Sequence, residues 1–68
     1  MKQPVLHENV PLLEVADQQM LDDLYADPQA ALFLLKRLSD TVAVVAPGQV
    51  DVLRARLLKL GHTPKVLA

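Results

Sequence analysis

Arg54, Arg56 and Lys59 crowd one stretch of the chain, and His62 and Lys65 follow close behind. Cations at this spacing on a helix and its exit could meet a nucleic-acid backbone, each neutralised single-strand phosphate steepening the salt dependence of affinity by about 0.7 in log–log slope. Tyr25 and Phe33 are the only aromatic residues to stack on bases, and a solvated helix face is the competing reading of the same cations. The two histidines, His7 and His62, lie far apart without the clustered spacing a metal centre needs. Glu14, Asp17, Asp22, Asp23 and Asp27 offer carboxylates of the kind that hold Mg²⁺ or cleave glycosides. Asp17 and Asp27, however, stand where helix caps are required, and Asp22 and Asp23 fall on the solvated side of a helix.

Other chemistries lack their residues. Ser39 is the single serine and has no GxSxG setting, and Gly48 and Gly61 cannot write a phosphate-cradling loop. With no cysteine there is neither a thiol nucleophile nor a thiolate metal site. A non-enzymatic chain follows, with no catalytic residue, no cofactor, no metal and no small-molecule substrate.

The elements that would position these groups are read from caps and periodicity. Val5-Leu6-His7 and residues 11–15 are short β-prone pieces around the turn-compatible Glu8-Asn9, which allows an N-terminal hairpin. Asp17 caps a helix over residues 18–25, with Leu21, Leu24 and Tyr25 on one face. Asp27-Pro28 is an N-cap followed by proline at the first helical position, and it opens a second helix reaching Leu38. Ala31, Leu34, Leu35 and Leu38 form a stripe on that helix, while Leu32 and Phe33 lie on its other side, making it too apolar for a single buried face. Thr41 to Ala46 reads as a central strand, or one covered on both faces. Pro47-Gly48 turns into a third helix over residues 49–60, with Val50, Leu53, Leu57 and Leu60 inward and Val52, Arg56 and Lys59 outward. Gly61 stops it before a last strand at residues 65–68.

The expectation is an α/β fold, with α+β as the alternative. It has one sheet of three or four strands and three helices mainly on one face, in the order β-α-α-β-α-β, with an extra strand if the hairpin forms. The unit from Val42 to Val66 has the length of a βαβ crossover, which would set its strands parallel. All 68 residues form one domain, with residues 1–10 as a loosely attached arm or hairpin strand. At 51% hydrophobic residues, mostly Leu, Val and Ala, such a chain has little core to spare. The net charge of −1 is a cancellation: Lys2 against six acids in residues 1–34, then six cations against Asp40 and Asp51 in residues 35–68. Without a signal peptide or an apolar span, a cytoplasmic location away from membranes is the default.

Leu12-Leu13-Glu14-Val15-Ala16-Asp17, Leu21, Leu24, Ala26-Asp27-Pro28, Thr41 to Pro47, and then Leu53, Leu57 and Leu60-Gly61-His62-Thr63-Pro64 form a domain pattern. Over residues 11–66 it resembles the helicase-associated accessory region of bacterial relatives of the XPB-type DNA-repair helicases. The resemblance implies a non-catalytic appendage that positions nucleic acid or a partner subunit, and it carries over no catalytic residue. The function expected is that of an interaction module linked to a DNA- or RNA-processing helicase, with Arg54, Arg56, Lys59 and Lys65 as contact residues. The alternative is a small homodimeric structural or assembly protein, in which Met20, Leu32 and Phe33 form an apolar face for a protein partner or second copy.

Overall fold

Reversal of the chain over residues 8–11 sets Val5–His7 (β1) against Leu12–Glu14 (β2) as an antiparallel hairpin with Leu6 opposite Leu13. The computed structural model, which describes residues 3–67, continues through Gln18–Ala26 (α1), Pro28–Ala31 (α2), Leu34–Arg37 (β3), Val42–Val45 (β4), Val50–Lys59 (α3) and Lys65–Leu67 (β5). The strands form one sheet in the order β3-β4-β2-β1-β5. Only the β1–β5 pair is parallel; β1–β2, β2–β4 and β3–β4 are antiparallel. β4 and β5 therefore run in the same direction, as a strand-helix-strand unit requires, but with β2 and β1 between them. β1 is an interior strand, and Leu6 is fully buried in it.

Strand alternation divides the sheet into two faces. Leu6, Leu13, Ala43 and Val45 point to one, where they cluster with Met20, Leu21 and Leu24 of α1, Ala30 of α2 and Leu53 and Leu57 of α3. The register partners Val5, Leu12, Glu14, Val42 and Val44 occupy the other face and are half-buried or exposed. On that open face the His7 Nε2 and Glu14 Oε1 atoms lie 3.0 Å apart.

Local rules explain most boundaries. The Asp17 carboxylate accepts from the Met20 N–H at 2.9 Å and caps α1, and Asp27 accepts from the Ala30 N–H at 3.1 Å and caps α2. Ala46-Pro47-Gly48-Gln49 is a turn with proline second, Gly48 at φ +78°, and the Gln49 N–H returning to the Ala46 carbonyl at 3.0 Å, the arrangement of type II. At the end of α3, Gly61 has φ +92°. Its N–H donates to Leu58, and the His62 N–H donates to Leu57, the paired bonds of a Schellman stop.

The mixed α/β class agrees with the sequence reading, but the described residues form five strands and the order of elements differs. The second helix does not reach Leu38: it ends at Ala31 after one turn, and Leu34–Arg37 becomes edge strand β3. β4 lies next to β2 on one side and leaves its other edge to be paired, and a hairpin through Ser39-Asp40 delivers β3 to that edge. There Leu34 is buried, while Leu35 and Leu38 are left exposed. The Arg37 guanidinium holds the hairpin by donating to the Ser39 and Asp40 carbonyls, and its Nη1 pairs with Asp22 of α1 at 2.7 Å, beside the Tyr25 ring. Leu60 also departs from expectation. It is the C-cap of α3, where the chain has begun to turn away, and it is partly exposed.

Candidate functional site

Asp27 sits where three helices meet. Its backbone N–H closes α1 by donating to the Asp23 and Leu24 carbonyls, and its carboxylate caps α2. Both carboxylate oxygens also accept from Arg56 of α3, Nε to Oδ2 and Nη2 to Oδ1, each at 2.8 Å. Such a two-pronged pair fixes orientation as well as distance. The hydrogen bonds from Arg56 hold the Asp27 carboxyl below its ordinary value, against partial desolvation and aided by the Ala30 N–H. The same bonds raise the Arg56 guanidinium.

The clamp brings α2 alongside α3 and leaves a groove of about 330 Å³ between them, lined by Gln29, Phe33, Val52, Ala55, Arg56 and Lys59. Phe33 forms its inner wall, half-buried against the core, while Val52 is 46% exposed. Leu32, in the turn that ends α2, is 74% exposed and is not part of the groove lining. The groove is thus an apolar trough with one cation engaged by Asp27 and a second, Lys59, exposed at its side.

Residues singled out from the sequence divide between this groove and elsewhere. Phe33 and Lys59 line it together with Arg56, so the apolar and basic features, separate in sequence, meet on one surface. Met20 lies elsewhere, 9% exposed against the core on α1, and lines a separate depression with Asp17, Gln19, Asp23 and His62 rather than the groove. Arg54 is exposed on another side of α3, and Lys65 projects from β5 on the open face of the sheet, in register with Val5. The four cations therefore do not share one phosphate-binding face. Asp27, Gln29, Val52 and Ala55 were not anticipated as parts of a surface. Val52 had a signal, an aliphatic residue on the outward side of a helix, whereas the Asp27–Arg56 partnership spans 29 positions and leaves no local trace.

Among the described residues no group of three or more His, Cys, Asp or Glu side chains is placed to hold a metal ion, and no helix is long and apolar enough to cross a membrane. Comparison with protein-family models, curated proteins and solved structures gave no match. The class defined by fold and surface is accordingly a small mixed α/β domain with a cationic, apolar groove.

Proposed function

We propose that this chain is a non-catalytic interaction module and that its working surface is the groove between α2 and α3. One observation carries the reading: Phe33, in the turn after α2, and Val52 and Ala55 of α3 provide an apolar lining directly beside Lys59, with α2 and α3 held together by the Asp27–Arg56 clamp. Surfaces of this composition suit an amphipathic protein segment, whose apolar side chains fill the trough while an acid meets the lysine. An appendage of a nucleic-acid-processing helicase, as the sequence resemblance implies, would use such a surface towards its motor or a companion subunit. Nucleic acid fits the geometry less well, because Arg54, Lys59 and Lys65 point in different directions and Arg56 is spent on Asp27.

Amide NMR titrations of the labelled chain test this reading. The probes are an acidic amphipathic helical peptide, single-stranded DNA and duplex DNA, all at low salt. The expected result is peptide-induced shifts concentrated at Phe33, Val52, Ala55 and Lys59, with weaker and scattered responses to either DNA. A groove indifferent to the peptide, with DNA shifts gathered on Arg54 and Lys65, would replace the protein partner with nucleic acid.

A further inference from the structure

Resting on the reading of this groove as a binding surface, we infer that its occupant is a second copy of the same chain, docked by antiparallel pairing of α3 with α3. Each helical residue turns the chain by about 100°, which places Ala55 opposite the fully buried Leu53 and Leu57, at the centre of the outward face. Asp51 and Val52 lie on that face towards the helix start, and Leu58 and Lys59 towards its end, all four exposed.

This arrangement is self-complementary in one orientation only. A two-fold axis at Ala55 sets Asp51 level with Lys59 of the second copy and Val52 level with Leu58 of the second copy, and repeats both relationships by symmetry. The small Ala55 side chains at the axis let the helices approach closely. Val52 and Lys59 lie to the same side of Ala55, the side of Phe33 and Arg56, so the axis also brings the two grooves together and lays each Lys59 stem along the Val52 of the other copy. Antiparallel helices further place the positive N-terminal end of each beside the negative C-terminal end of the other. Parallel pairing would set Asp51 against Asp51 and Lys59 against Lys59. An apolar seam with two symmetric ion pairs distinguishes a second copy from a generic acidic partner.

Sedimentation of the full chain from about 10 μM to about 1 mM tests the inference, as dissociation constants in this range mark a small, reversible interface. The wild-type chain is expected to dimerise with rising concentration, less so at high salt. Asp51→Lys and Lys59→Asp should each weaken the dimer by about tenfold or more through like-charge contacts, and D51K/K59D together should restore it. Because the double variant carries both unfavourable helix-end charges, its recovery cannot come from a more stable helix. Ala55→Arg should give a monomer with an unchanged circular dichroism spectrum. A wild-type chain monomeric throughout, or a dimer insensitive to Ala55→Arg and to the charge swaps, overturns the inference. If the chain stays monomeric while the acidic peptide still shifts the groove amides, only the second copy fails; if the peptide is also without effect, the groove reading fails with it.

Discussion

Asp27 and Arg56 join by two parallel hydrogen bonds of 2.8 Å, and through them the junction of α1 and α2 is locked to α3. Asp27 serves three helices at once, so its loss and the loss of Arg56 are not equivalent. Asp27→Ala removes the α2 cap and the clamp together and leaves the guanidinium unpaired. Arg56→Met removes the clamp, keeps the cap, and leaves an aliphatic stem in the groove wall. Urea denaturation should rank the variants wild type, Arg56→Met, Asp27→Ala in falling stability, and the double variant should be less destabilised than the sum of the two.

The same pair sets a pH dependence. Arg56 lowers the Asp27 carboxyl in the folded chain, so the unfolded chain takes up that proton first as pH falls. The stability linked to this group is complete above the ordinary carboxyl value and is lost progressively as pH drops through the lowered one. Acid titration of stability should therefore show a decline confined to that acidic window, and the decline should be shallower in Asp27→Asn. A variant curve parallel to wild type across the window would assign the acid sensitivity to other carboxylates.

Apolar substitutions should divide sharply by position. Leu57 is fully buried beneath the sheet, and Leu57→Ala is expected to cost about 2–5 kcal/mol, much of the roughly 3–10 kcal/mol available to a domain this small. Phe33→Ser, at a half-buried site against the core, should cost roughly 1–3 kcal/mol. Leu32→Ser, at a 74% exposed site, should leave the thermal midpoint where it is. Equal losses for Leu32 and Phe33 would mean that Leu32 packs against the core rather than facing solvent.

Gly61 offers a purely backbone test. At φ +92° it adopts a conformation that side chains disfavour, although the space around it is open. Gly61→Ala should thus destabilise by about 1–2 kcal/mol through conformation alone, without a change in the near-ultraviolet spectrum of Tyr25. An unaffected midpoint would show that the end of α3 can relax into another stop.

How much of this was legible in the sequence depends on the range of the interaction concerned. The caps Asp17 and Asp27, the stop at Gly61 and the hairpin around Glu8-Asn9 are set by neighbours within a few residues, and the fold keeps them. On the candidate surface, Phe33 and Lys59 were visible as unexplained apolar and basic residues. Their meeting was not, because it depends on a clamp between distant residues, one of which already had a sufficient local explanation as a cap.

β3 is the clearest case, and it yields the most decisive test. Leu34-Leu35-Lys36-Arg37 has the intrinsic preference of a helix, and in a helix Leu34, Leu35 and Leu38 would share one buried stripe with Ala31. In the strand they separate: Leu34 pairs opposite Val45 and is 7% exposed, whereas Leu35 falls at the bulge and is 61% exposed, and Leu38 is 52% exposed beyond the strand end. Leu34→Asp should therefore unfold the domain, since it places a charge in the core with no partner. Leu35→Asp and Leu38→Asp should leave it folded by circular dichroism and thermal denaturation. A helix through Leu38 requires all three to be damaging, so survival of the latter two variants separates the architectures: Leu34 can be buried against the helices with Leu35 and Leu38 left in solvent only where residues 34–37 run as the edge of the sheet.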